Sequence, residues 1–366
     1  MNIATLGIIS ANYTRNDLGS LVDSRTIATV PFGGRYRMID FPLSNLVNSG
    51  ITTVGLITPY YYRSIMDHVG AGKPWELARK TGGLFILPGT VYGDREEGSR
   101  FLLRDLLINR KLVDRSHSKY VLFSDTSTVM NCNYKDFINA HIESGCPISF
   151  MYKQEPGRAD RSYLKIDKNG VLKEIIRGDV KQKNLFMGCF IIDRDMLLRI
   201  MDWYKAIDNN DIINIIAQNL PKFKINTYEN TGYSAIVDSI NDYKKASQEL
   251  LLKDVRKELF ENERQIYTKT QDEAPTIYRP GSNVKKSLIA AGCVIEGTVE
   301  NSIIFRSTKI KKGAIVKDSI VMQKSVIETN AVVVNAILDK YAHIGRKAHI
   351  EGGEDSPVVI GKDEKI

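Results

Sequence analysis

Val326-Ile327-Glu328-Thr329-Asn330-Ala331-Val332-Val333-Val334-Asn335-Ala336-Ile337-Leu338-Asp339-Lys340-Tyr341-Ala342-His343-Ile344-Gly345-Arg346-Lys347-Ala348-His349-Ile350 decides half of the fold. Val326, Val332, Leu338, Ile344 and Ile350 recur every six residues, five in one frame. That period fits neither a helix nor an alternating strand. It predicts a left-handed parallel β-helix, in which one aliphatic residue of each hexapeptide turn stacks inside on its neighbours. Working back along the chain, Ile304, Ile310, Val316 and Met322 keep the same spacing, as do Leu288 and Val294. The frame slips at 294–304 and 322–326, where loops or an irregular coil are expected. Gly281, Gly292, Gly297, Gly313, Gly345 and Gly352 are assigned to the corners.

Before Pro280 the pattern is different. From Asn2 to about Tyr243, short apolar runs such as Ile3–Ile9 and Tyr120–Phe123 alternate with helical patterns at Asn133–Glu143 and Asp193–Tyr204. This reads as an α/β layer on a mostly parallel sheet. A charged helical stretch, Asp242–Glu263, precedes the polar linker Lys269–Pro275. The expected division is therefore 1–243, an α/β domain; 244–279, a helical connection and linker; and 280–366, the β-helix. At 366 residues, 43% hydrophobic and 26% charged, the chain has the composition of a soluble globular protein. No apolar run approaches the roughly 20 residues of a membrane span, and the N-terminus lacks a basic leader, so a cytoplasmic location is expected. Cys132, Cys146, Cys189 and Cys293 are too scattered for a zinc site or disulfide framework. The net charge of +8 favours anionic ligands, but the basic residues form no aromatic-interleaved patch, which argues against nucleic acid.

Pro31-Phe32-Gly33-Gly34-Arg35-Tyr36-Arg37-Met38-Ile39-Asp40-Phe41-Pro42-Leu43-Ser44-Asn45-Leu46-Val47-Asn48-Ser49-Gly50-Ile51 closely resembles the segment that follows the nucleotide loop in bacterial ADP-glucose pyrophosphorylases (glucose-1-phosphate adenylyltransferases). The similarity runs through nearly the whole chain. It includes Trp75-Glu76-Leu77, Gly82-Gly83 and Leu87-Pro88, then Gly292–Ser302 and Ala336–Tyr341 in the β-helix. The resemblance implies a doubly wound, Rossmann-like nucleotidyltransferase domain over 1–243.

The same resemblance exposes losses. In the family a Gly-Gly-x-Gly-x-Arg turn lets backbone N–H groups and an arginine approach the triphosphate. The aligned residues are Asn12-Tyr13-Thr14-Arg15-Asn16-Asp17, without glycine and with Asp17 in place of the arginine. A carboxylate there repels a polyanion, leaving Arg15 as the basic remnant of the loop. The family's Gly-Asp-His metal turn becomes Ser124-Asp125-Thr126, so Asp125 is the candidate catalytic remnant. The second metal carboxylate falls on Ile236, which cannot hold magnesium. Asp238, two residues on, is the alternative ligand, weighed against an ordinary solvent-facing or loop carboxylate. On the sugar-phosphate side Glu-Lys-Pro becomes Arg177-Gly178-Asp179, Ser-Met-Gly becomes Phe186-Met187-Gly188, and Gly-Thr-Ala-Asp becomes Gly98-Ser99-Arg100-Phe101. Arg177 remains a candidate sugar-phosphate contact. Arg35 takes the place of a basic residue that binds a phosphorylated effector in the family.

Taken together, the resemblance implies a regulatory, catalytically inactive subunit for glycogen synthesis. It would assemble with a catalytic ADP-glucose pyrophosphorylase, as a mixed tetramer, and activate it. No cofactor or metal is expected for this chain itself, Mg²⁺ being needed by the catalytic partner or by any residual activity. The alternatives are a weakly active adenylyltransferase rebuilt around Asp125, Asp238 and Arg15; an acyltransferase using His343 or His349, six residues apart on the β-helix; or a metabolite sensor acting alone.

Overall fold

The computed structural model describes residues 4–13, 16–59, 62–90 and 99–366. It divides into two compact units that are not consecutive in sequence. The first holds Met1–Thr14, Phe41–Ser234 and Arg264–Tyr267; the second holds Arg15–Asp40, Ala235–Glu263 and Thr268–Ile366. The division thus differs from one cut near residue 243. The segment 31–40, half of the block most similar to the pyrophosphorylases, is part of the β-helix unit.

The first unit is built on a nine-stranded sheet: β1 Thr5–Ser10, β2 Thr53–Thr58, β3 Gly83–Pro88, β4 Tyr120–Asp125, β5 Ile148–Gln154, β6 Ser162–Ile166, β7 Leu172–Arg177, β8 Asn184–Asp193 and β9 Ile225–Glu229. Its main path runs β7-β6-β8-β4-β1-β2-β3, with β5 on β8 and β9 on β5. The sheet is mixed rather than mostly parallel. Strands β3, β2, β1 and β4 are parallel, but β8 runs antiparallel to β4, β5 and β6. The departure begins with a local signal. Asp167 accepts from the backbone N–H groups of Asn169 and Val171, closing the tight turn that folds β7 back on β6. Under this sheet Phe123 of β4 stacks on Phe190 of β8 at 4.5 Å, with Phe101 edge-on to both at 5.5 and 5.3 Å. This aromatic layer fixes the end of β4, because Phe123 is fully buried just ahead of the terminal Asp125.

Helices form where expected, with one break. Tyr134–Ser144 is capped by the Asn133 side chain, which accepts from Lys135 N–H. Arg194–Trp203 follows β8 directly. The charged stretch after residue 239 is two helices, Ile240–Glu249 and Lys253–Phe260. Ser239 and Asp242 form a reciprocal capping box at the first, and Leu252 is extended before the second. No helix among the described residues is long and apolar enough to cross a membrane.

In the second unit, three five-stranded parallel sheets stack as a β-helix from Ile277 to Ile360. The six-residue period is confirmed, with a correction. Lys309 pairs with Val326 and Val326 with His343, so a regular coil falls one residue short of three full hexapeptides. The interior is therefore Ile304, Ile310, Val316, Val321, Ile327, Val333, Leu338, Ile344 and Ile350, in steps of six, six and five. Val326 and Val332 are only half-buried, because a strict frame of six moves one position off the interior in each coil. The short step sits at a corner, where Asn301, Asp318 and Asn335 adopt left-handed backbone at the same place in successive coils. Asn and Asp tolerate that conformation better than other residues with a Cβ, so glycine is not needed at every corner. One coil is longer: Ala336 pairs with Val358 across an inserted loop, 352–357.

The hairpin Pro31–Phe32/Tyr36–Arg37 belongs to this unit and turns at Gly33 and Gly34, both at positive φ. Tyr243 donates to Pro31 O at 2.7 Å, and Tyr36 stacks on Phe260 at 4.9 Å. Phe32, Met38 and Ile39 are fully buried, as expected of core residues.

Candidate functional site

Asp125 closes β4 and is 1% exposed. Donors surround its carboxylate, one of them, the Thr128 hydroxyl, shared with Met187 O at 3.2 Å. Arg100 Nη1 pairs with Oδ2; Ser127 N–H donates to Oδ1 at 3.1 Å; Ser127 Oγ donates to Oδ2 at 3.1 Å; and Thr128 Oγ1 donates to Oδ1 at 3.2 Å. Arg100 is itself held from behind. Its N–H and that of Phe101 donate to Asp211 Oδ2, at 2.6 and 2.8 Å. Burial holds the Asp211 carboxyl above its usual range, against the pull of those N–H groups and of Arg100. Magnesium takes anionic oxygens at about 2.1 Å and keeps its waters. A carboxylate already neutralised by a guanidinium and capped by three other donors offers it no such seat. Among the described residues, no group of three His, Cys, Asp or Glu converges to hold a metal.

Just past β1, Asn12 and Tyr13 are buried rather than open to solvent. Tyr13 is 2% exposed, with its hydroxyl 3.3 Å from Thr126 Oγ1 and its ring 5.8 Å from the Arg100 guanidinium carbon. Asn12 donates to Asp105 Oδ2 at 2.6 Å, while Thr90 donates to Asp105 Oδ1 from both its backbone and its hydroxyl. An aromatic ring and a closed amide network therefore occupy the space just past β1, where the resemblance places a phosphate cradle. Arg15 lies outside the described residues.

The other side chains of the proposed sugar-phosphate site do not converge on Asp125. Arg177 is exposed at the end of β7 and donates to Asn214 Oδ1 at 2.7 Å. Two strands separate β7 from β4, a distance of roughly 14 Å. Phe186 packs 5.1 Å from Phe150 in the core. In the second unit, Asp238 is 1% exposed just before helix Ile240–Glu249: it is a loop carboxylate, one of the two expected settings, but not a solvent-facing one. A Ser149–His141–Asp193 chain, with bonds of 2.7 and 3.2 Å, looks like a catalytic triad, but Ser149 is wholly buried in β5. It ties β5 to the helix Tyr134–Ser144 and to the end of β8.

A second cluster lies in the β-helix unit. Arg25 pairs with Asp339 at 2.7 Å, both side chains almost fully buried. Next to Asp339, Lys340 is pushed down to about 7, first by burial and then by the positive charges of Arg37 and Arg25, with Lys362 adding to them and only Asp339 opposing. Arg35 is exposed with its guanidinium over the Tyr36 ring, and Arg306 donates to Arg35 O at 2.9 Å. Burial and then the like charge of Arg35 lower the Arg306 pKa. Arg37, Arg25 and Lys362 thus crowd Lys340, with Asp339 the carboxylate acting on it, while Arg35 crowds Arg306 beside Glu273 and Asp40.

Residues 20–251 match the family model described as nucleotidyl transferase, and residues 276–357 match GlmU-like, C-terminal hexapeptide. The chain is 36% identical to the glycogen biosynthesis protein GlgD of Bacillus subtilis (strain 168), over 99% of this chain and 96% of that one. It is 38% identical to the protein of the same name from Geobacillus stearothermophilus, over 86% of this chain and 84% of that one. The glucose-1-phosphate adenylyltransferase of Thermotoga sp. (strain RQ2) is 29% identical, over 85% and 76%. The chain belongs to the GlgD family of nucleotidyl transferases. In this GlgD-family chain the hexapeptide match coincides with the coils, consistent with a left-handed β-helix.

Three residues of this GlgD-family site escape a sequence reading: Arg100, Tyr13 and Gly188. Arg100 is visible only as a misfit in Gly98-Ser99-Arg100-Phe101, and nothing local says which distant carboxylate it will meet. Gly188 sits in an irregularity of β8, where pairing with β5 skips from Phe186 to Phe190. That bulge brings backbone against Asp125.

Proposed function

We propose that this chain is a non-catalytic, regulatory subunit in glycogen biosynthesis, assembling with a catalytic glucose-1-phosphate adenylyltransferase and raising its activity. The observation that carries this reading is the saturated Asp125. The names of its relatives supply the pathway, and nucleotidyl transfer depends on cations neutralising charge around the phosphates. A chain that has replaced its metal seat with an internal arginine keeps the frame for assembly rather than chemistry. ADP-glucose formation from ATP, glucose-1-phosphate and Mg²⁺ tests this with the chain alone, a catalytic homologue from the same cell alone, and the two co-expressed. The expected result is no turnover by this chain and a higher rate for the pair. Turnover by this chain alone that is abolished in Asp125→Asn would overturn the reading.

The regulatory part rests on the cations around Lys340. An anionic metabolite bound there would restore the charged form of Lys340, whose folded pKa is about 7 against about 10.4 for a free lysine. Between those values the unfolded chain binds more protons, so the destabilisation is full below pH 7 and fades as pH rises toward 10. Anion binding should accordingly take up a proton near pH 7–8 and weaken as pH rises through that range. Titration calorimetry with a sugar bisphosphate, in two buffers of different ionisation enthalpy, reads this uptake directly. It should vanish in Lys340→Met; an uptake that persists in that variant contradicts the assignment.

A further inference from the structure

The β-helix unit contains a cleft of about 740 Å³ whose lining includes Lys244, Lys245, Gln248, Asn301, Asp318 and Glu354. Its walls are helix Ile240–Glu249, the corner ladder Asn301/Asp318/Asn335, and the inserted loop of the long coil. The loop is anchored rather than loose. Asn241 donates to Asp355 O at 2.9 Å, Lys244 Nζ donates to Glu354 O at 2.9 Å and to Asn335 Oδ1, and Asn335 in turn donates to Gly353 O.

The lining has an unusual character. It has no aromatic or aliphatic side chain, whereas small-molecule sites are mostly apolar with a few polar groups. Lys244 is about nine-tenths buried, and among the described residues its ammonium meets two neutral oxygens and no carboxylate. An ammonium has three N–H groups, so one remains for a ligand oxygen. Asp318 accepts from Asn301 Nδ2 through one oxygen, at 2.5 Å, and keeps the other. Donors and acceptors are thus interleaved along the cleft. A phosphate would meet Asp318, Glu354 and Asp355 as like charges, and a nucleobase would find no flat apolar surface. A sugar hydroxyl donates and accepts at once, which is what interleaved amides, a carboxylate and ammonium groups satisfy.

We infer that this cleft binds a neutral saccharide, specifically a short α-glucan, anchored by Lys244, Gln248, Asn301 and Asp318. The choice of an α-glucan among saccharides rests on the glycogen reading; the saccharide class rests on the lining alone. Without an aromatic platform the affinity is weak, with an expected Kd of about 1 mM.

Saturation-transfer NMR of the full chain with maltotriose tests it, with cellobiose as the comparison sugar. Maltotriose should give a saturable signal that falls about tenfold in affinity in the double variant Lys245→Ala/Gln248→Ala. Both positions lie on a helix where alanine is the best helix former, so the fold is kept. Lys245 is exposed and Gln248 half-buried. Absence of a signal at about twentyfold above that Kd overturns the proposal. So does a signal unchanged in the double variant, which would mark adventitious contact elsewhere. Equal binding of cellobiose, a β-linked glucose disaccharide, overturns the α-glucan assignment. Because the experiment uses this chain alone and reads no turnover, its failure is separate from failure of the co-expression assay.

Discussion

Arg100→Ala is expected to destabilise the first unit by about 3–5 kcal/mol, the cost of leaving one member of a buried ion pair without its partner. Asp125 has no exposed side-chain surface, and the Arg100 side chain is 17% exposed, so water cannot replace the guanidinium cheaply. Both tryptophans of the chain, Trp75 and Trp203, lie in this unit, so the urea transition followed by tryptophan emission reports on it selectively. The midpoint should fall while the slope is retained. Because the two side chains are in contact, the loss in Arg100→Ala/Asp125→Asn should be clearly smaller than the sum of the single losses. A single-variant loss under about 1 kcal/mol would place this pair with ordinary surface ion pairs. It would also remove the main support for an internal cation in the metal's place.

Gly188→Ala should act on the same carboxylate from the opposite side and cost about 3 kcal/mol or more, the sum of backbone strain and overpacking. Gly188 has φ +64°, and a Cβ built there overlaps Asp125 Oδ2 and comes within 2.8 Å of Arg100 Nη1. A left-handed backbone costs an alanine roughly 1–2 kcal/mol by itself. The rest comes from displacing a carboxylate fixed by four donors. Both neighbours are side-chain ends, but they hold each other in a pair whose carboxylate is fully buried. The same urea experiment decides it. A change near the backbone cost alone, about 1 kcal/mol, would mean that Asp125 moves aside without losing its donors. The network would then be looser than its hydrogen bonds imply.

Arg100 and Gly188 show in the sequence only as members of altered motifs, whereas the coils of the β-helix declare themselves, and the difference is physical. In the coils, each aliphatic residue packs on its counterpart one coil along, so the fold repeats locally and the pattern is written in the chain. Even the coil's shortfall from three full hexapeptides is present as the frame slip at 322–326; the corner residues Asn301, Asp318 and Asn335 mark it.

The absence of glycine from Asn12–Asp17 and the placement of Ile236 were likewise legible, because loss of a required residue type is a property of the sequence alone. What replaces the lost groups was not. Tyr13, Asp125, Arg100 and Gly188 come from four distant segments, and their contacts exist only once β1, β4 and β8 lie side by side. Pairing of charges over such distances leaves no periodicity to read. The β-helix, the α/β class of the first unit and the loss of the nucleotide loop were written in local spacing and residue type, whereas the antiparallel half of the sheet was not. That the surviving carboxylate is spoken for emerges on folding, because burial and the approach of an arginine from another segment set whether an aspartate can hold a metal.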